Sequence, residues 1–77
     1  MSVESMRDVK VITEKNIKDM YGDNIENFTV GSIVHNSDEY DVSTEFDYNG
    51  YNYTVYLSIN NDGEVIKFNE ISKIKKS

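Results

Sequence analysis

Cysteine and proline are absent from the 77 residues, histidine occurs once, and no lysine or arginine lies between Asp19 and Ile66. Each absence excludes something. Without cysteine there is no disulfide framework, no thiolate metal site and no thiol redox chemistry, so packing alone must stabilise the fold. With His35 as the single imidazole and no Gly-x-Ser-x-Gly elbow around any serine, a nucleophilic triad has no parts to be built from. No stretch approaches the roughly 20 apolar residues of a membrane span, and Met1–Arg7 has no apolar run of the signal-peptide kind. The chain as given therefore reads as intracellular and cytoplasmic, which leaves the triplets Asn27-Phe28-Thr29 and Asn52-Tyr53-Thr54 without meaning as glycosylation acceptors. Neither a cofactor nor a metal is expected.

What is present is negative charge. Asp19, Asp23, Glu26, Asp38, Glu39, Asp41, Glu45, Asp47, Asp62 and Glu64 fill the lysine-free stretch, whereas residues 1–18 sum to +1 and residues 67–77 to +3, within a net charge of −6. A field of one sign attracts basic partners and repels nucleic acid, membranes and other acidic proteins. Direct nucleic-acid binding through this body is disfavoured, because phosphate contacts need Lys and Arg.

A chain this short has room for one domain, residues 1–77, burying only about 60–65% of its unfolded surface. The apolar spacing of Ile17, Met20 and Tyr21, closed by Gly22, predicts a helix over 13–22, with Thr13 as N-cap and Gly22 in the left-handed conformation past its end. Met6, Val9, Thr13, Ile17 and Met20 keep helical period, so one longer helix reaching back through residues 1–12 is favoured over a separate N-terminal segment, although Val9-Lys10-Val11-Ile12 has strand character.

Asn49-Gly50 is the strongest local signal, since a type I′ hairpin turn needs positive φ at both central positions. Counting outward from it pairs Tyr48 with Tyr51, Phe46 with Tyr53, Thr44 with Val55, Val42 with Leu57 and Tyr40 with Ile59 on one face. Asp47, Glu45, Ser43 and Asp41 then face Asn52, Thr54, Tyr56 and Ser58 on the other, the alternation of a half-buried antiparallel sheet. Asp62-Gly63 permits a second two-residue turn, pairing Ile59 with Ile66 and Leu57 with Phe68. Phe28–His35 supplies a fourth strand with a bulge at Gly31. The expected fold is α+β: an N-terminal helix packed through Ile17, Met20 and Tyr21 on a four-stranded antiparallel meander over 27–69, in two layers, followed by a basic tail over 70–77.

Ser58, Asn60, Asp62, Gly63 and Ile66 match the spacing of an EF-hand loop, but Ser58 and Asn69 stand where a calcium loop needs its charged first and last ligands, and the flanks read as strands. A turn is the expectation there. Of the six tyrosines, Tyr56 alone falls on the polar face, ringed by carboxylates. Asp41, Glu45, Asp47 and Tyr56 are therefore the candidate partner-binding residues, and the partner is a basic protein surface, including one that normally receives nucleic acid.

The order Ile12-Thr13-Glu14-Lys15-Asn16-Ile17, then the meander, with Tyr53–Ile59 running into Asn61-Asp62-Gly63-Glu64-Val65-Ile66, resembles PepSY-type and cystatin-like domains over residues 12–68. The resemblance implies a helix wrapped by an antiparallel sheet and a non-catalytic binding or inhibitory role. In length, acidity and absence of motif the chain also resembles small acidic phage proteins, anti-CRISPR proteins among them. Two functions stand as expectations: a non-enzymatic acidic module that binds a basic partner, extending to a nucleic-acid-mimicking inhibitor, and a structural domain that forms a homodimer or adds a strand to a partner.

Overall fold

The computed structural model describes residues 2–77. One helix, α1 (Met6–Tyr21), precedes four strands, β1 (Glu26–Asn36), β2 (Glu39–Tyr48), β3 (Tyr51–Asn60) and β4 (Val65–Lys75), which pair antiparallel in the order β1-β2-β3-β4. The helix packs on one face of this open meander, giving the two-layer α+β fold.

The longer helix forms, and its cap is not Thr13. Ser5 is the N-cap, its hydroxyl accepting the Asp8 amide at 3.4 Å, while the Asp8 carboxylate in the first turn accepts the Glu4 amide at 2.8 Å. Thr13 lies mid-helix and fully buried, and its hydroxyl finds no partner among the described residues. Burial decides this extension. Each β-branched residue of 9–13 costs up to about 0.7 kcal/mol of helix propensity, but fully burying Val9 returns about 1.5–3 kcal/mol. The buried stripe is therefore Val9, Thr13 and Ile17, continued by the half-buried Tyr21 at the same four-residue step. Met20, expected against the sheet, lies one position off this stripe and is 59% exposed.

Gly22 ends the helix by donating its amide to the Lys18 carbonyl at 2.8 Å. Its φ of 122° and ψ of 166° are not the left-handed helical conformation expected but the extended positive-φ region open essentially to glycine alone.

The β2–β3 register is the one counted outward from Asn49-Gly50, through all ten pairs from Tyr48–Tyr51 to Glu39–Asn60. Both turn residues have positive φ, 52° and 83°. Val42, Phe46, Tyr53, Val55, Leu57 and Ile59 are buried beneath the helix with Val9 and Ile17, and buried Thr44 satisfies its hydroxyl by donating to the Val55 carbonyl at 2.9 Å. Tyr21 closes the far end of the core. Its ring lies 5.0 Å from Phe46 and 5.1 Å from Tyr53, and its hydroxyl donates to Glu70 at 2.8 Å. Burial, and then this bond to a carboxylate, pushes the Tyr21 phenol well above the ordinary tyrosine range.

Two features of the second hairpin differ from expectation. The loop between β3 and β4 has four residues, Asn61 to Glu64, with Gly63 at φ 85° donating its amide to the Asn60 carbonyl at 3.0 Å. Asn60 causes this, because its side-chain oxygen accepts the amides of Asp62 at 2.9 Å and Glu64 at 3.0 Å, an arrangement that a two-residue turn cannot provide. Ile59 then pairs with Val65, the extra residue Ile66 bulges out to 49% exposure, and Leu57 regains Phe68 as counted. Gly31 does form the bulge expected in β1, between the pairs Val30–Thr44 and Ser32–Ser43.

The basic tail is mostly strand. β4 pairs with β3 as far as Tyr51–Lys75, and the Lys76 amide then donates to the Gly50 carbonyl at 2.9 Å. β3 offers a free edge along its whole length, and β4 follows it with one irregularity here, Ile71 bulging between the pairs Val55–Glu70 and Thr54–Ser72 and, like Ile74, remaining exposed. Lys73 lies over the Tyr51 ring, 4.5 Å from its centroid. Among the described residues no helix is long and apolar enough to cross a membrane.

Candidate partner-binding face

Because α1 covers only one side of the sheet, the other face is open, and register lays it out in rows. Glu26, Asp47, Asn52 and Ile74 form one row; Thr29, Glu45, Thr54 and Ser72 the next; then Ser32, Ser43, Tyr56 and Asn69; then Val34, Asp41, Ser58 and Lys67. All four residues singled out from the sequence share this face. Asp41 and Asp47 stand about 20 Å apart at the strand rise of roughly 3.4 Å per residue, with Glu45 between them and Tyr56 diagonal to Glu45.

The three carboxylates are not equivalent. Asp47 is a structural hub, accepting from Asn52 Nδ2 at 2.9 Å, Asn27 Nδ2 at 2.8 Å and Lys76 Nζ at 2.9 Å. Asn27 reaches it through a left-handed backbone, φ 55°, at the irregular start of β1. These donors, Asn52 first, then Lys76 and Asn27, hold the Asp47 carboxyl well below the usual carboxylate range. Asp41 accepts from Ser58 Oγ at 2.7 Å and from Asn36 Nδ2. The Ser58 hydroxyl, and then the neighbouring Glu39, hold Asp41 low, while sharing a hydrogen bond with Asp41 pushes Glu39 up. Glu45 is exposed, and its carboxylate has no hydrogen-bond or ion-pair partner among the described residues. Tyr56 is 50% exposed and equally free.

Beside Tyr56 the face dips into an open groove of about 440 Å³, lined by Ser32, Val34, Ser43, Tyr56, Lys67 and Asn69. Ser32 and Ser43 hydroxyls lie 2.9 Å apart in its floor. Such a groove has room for an inserted side chain. The carboxylates with acidities pushed apart, Glu39 and Asp41, are held by Ser58 and Asn36, with Lys67 Nζ 3.8 Å from Glu39.

The sequence missed the cations. β4 brings Lys67 to Glu39 and Lys76 to Asp47, so charges segregated along the chain are partly recombined in space. Extending the β3 register onto β4 would have found Lys67, which lies opposite Ser58. Lys76 could not be found that way while residues 70–77 were read as a solvated tail. His35 stacks flat on its cross-strand neighbour Tyr40, centroids 4.1 Å apart, and Asn60 of the calcium-like loop is occupied by backbone amides. Among the described residues no group of three or more His, Asp or Glu side chains is placed to hold a metal ion. Compared with protein-family models, with curated proteins and with solved structures, the chain matches none.

Proposed function

We propose that the chain is a non-enzymatic acidic binding module whose open sheet face docks on a basic protein surface, in its sharpest form one that normally holds a phosphate backbone. The observation that carries this reading is the pairing of an unpartnered carboxylate, Glu45, with an unpartnered aromatic, Tyr56, at the centre of a rigid face. Glu45 supplies charge, Tyr56 supplies rigid contact area with a polar tip, and neither loses an existing bond on docking. Asp41 and Asp47 frame them as fixed anions. Their hydrogen bonds cost reach but keep both ionised and in place, so little ordering entropy is lost on binding. Glu45 and Asp47, two residues apart, are separated by about 7 Å, comparable to successive phosphates on a nucleic-acid strand.

The test is competition. A nucleic-acid-binding protein captured by immobilised chain should be released by added DNA or RNA, should bind more weakly as salt rises, and should be lost with Glu45→Lys combined with Tyr56→Ala. Capture indifferent to salt, or unchanged in the double variant, refutes the proposal.

A further inference from the structure

A four-stranded meander leaves two edges, here β1 and β4, and they are defended differently. β4 carries Lys67, Glu70, Lys73 and Lys75 along its length, the kind of charge that discourages pairing with another chain. β1 carries no Asp, Glu, Lys, Arg or Pro from Asn27 to Asn36. The Gly31 bulge disturbs the first half of β1, but from Ser32 to Asn36 it pairs with β2 residue for residue and presents a straight outer edge.

We propose that Ser32–Asn36 is a self-pairing edge, to which a second copy of the chain adds its own Ser32–Asn36, antiparallel, about a twofold axis at Val34. That register sets Val34 on Val34, Ile33 beside His35, and Ser32 beside Asn36 on both sides of the axis. Every juxtaposition is compatible: an aliphatic pair, an aliphatic beside an imidazole already stacked on Tyr40, and two groups that can hydrogen bond. Val34 is 54% exposed on the open face, so the axis covers an apolar side chain that the monomer leaves in water.

The occupant is a second copy because the twofold closes the assembly. One pairing consumes both β1 edges and leaves the charged β4 edges at the outer ends of an eight-stranded sheet, with no site for further growth. Five paired residues per chain fall short of the roughly 1,200 Å² of a stable interface, so the dimer is weak and concentration-dependent. A net charge of −6 on each copy opposes association, so added salt strengthens the dimer. Binding of a basic partner responds to salt in the opposite sense. Pairing also makes the two open faces continuous, presenting Glu45 and Tyr56 twice to an extended partner, which raises avidity without a new contact.

Sedimentation of the chain alone, over a range of concentrations at low and moderate salt, tests this independently of any partner. The dimer fraction should rise with concentration and with salt. Val34→Lys, placing like charges across the axis, should lower the association constant about tenfold or more, or about 1.4 kcal/mol, whereas Ile71→Lys on β4 should leave it unchanged. Val34→Cys in a glutathione redox buffer should give a disulfide-linked dimer with the far-ultraviolet spectrum of the parent. A chain that stays monomeric at its solubility limit in both salts overturns the proposal, as does dimerisation lost with Ile71→Lys and retained with Val34→Lys. Should Val34→Lys fail to fold, the failure of Val34→Cys to cross-link overturns it equally.

Discussion

Replacing Ile17 with alanine, compared with the same change at Met20, tests which helix face meets the sheet. Ile17 is fully buried between α1 and the core strands, whereas Met20, one residue past the midpoint from Ile17 to Tyr21, is 59% exposed. Ile→Ala in a packed core costs about 2–5 kcal/mol, from lost transfer energy and from the cavity left behind. For 77 residues at roughly 0.05–0.15 kcal/mol per residue the whole stability is about 4–12 kcal/mol. A loss of about 3 kcal/mol is therefore about a quarter or more of the total, and it lowers the melting temperature by about 12–24 °C in a domain this small. Met20→Ala should cost no more than about 0.5 kcal/mol, the usual range for an exposed site. Urea denaturation gives both numbers, with an unchanged slope showing that only the native state was weakened. Equal losses at the two positions, or a larger loss at Met20, refute the assignment of Val9, Thr13, Ile17 and Tyr21 to the inner stripe.

Other expectations follow from the same contacts. Ser5→Ala should destabilise by about 1 kcal/mol through loss of the N-cap, whereas Thr13→Val should stabilise by about 1 kcal/mol by removing a buried hydroxyl that has no partner; were Thr13 the cap, thermal melts would show the reverse order. Gly50→Ala meets open space but must hold φ at 83°, so it should cost about 1–2 kcal/mol with no change in the core. Deleting residues 70–77 should unfold the chain or lower its melting point sharply, since it removes half of β4 and the Tyr21–Glu70 and Lys76–Asp47 links. Asp47 has a folded pKa below its unfolded one, so its stabilisation is complete above about pH 4 and is lost as pH falls through the folded value; Asp47→Asn should flatten that acid limb of stability against pH.

The hairpin centred on Asn49-Gly50 was legible because a single turn fixes ten pairs, and with them both faces of β2 and β3. That placed Asp41, Glu45, Asp47 and Tyr56 together on the open face. Their inequality was not legible, because it depends on side chains arriving from other strands. Asp47 is occupied by Asn27 from an irregular strand start and by Lys76 from beyond the end of β4, neither of which any periodicity marks. The longer helix was favoured by its period, but its cap was misplaced at Thr13 for a related reason. Thr13 and Ser5 are both good caps, and only the burial of Val9 selects Ser5. The register of β4 slipped by one at Ile59 because the Asn60 side chain competes for the turn amides, and with it Val65 replaced Ile66 on the inner side. In each case a long-range or side-chain contact outweighed a local preference. The reading of function narrowed accordingly: of Asp41, Glu45 and Asp47, the three carboxylates singled out from the sequence, Glu45 has no hydrogen-bond or ion-pair partner among the described residues.

Amide and side-chain shift mapping on labelled chain, titrated with the captured basic protein, measures the docking surface directly. The account predicts perturbations centred on Ser43, Glu45, Thr54, Tyr56 and Asn69, fading as salt rises. Perturbations confined to the exposed side of α1, around Val11, Lys15 and Asp19, would contradict it.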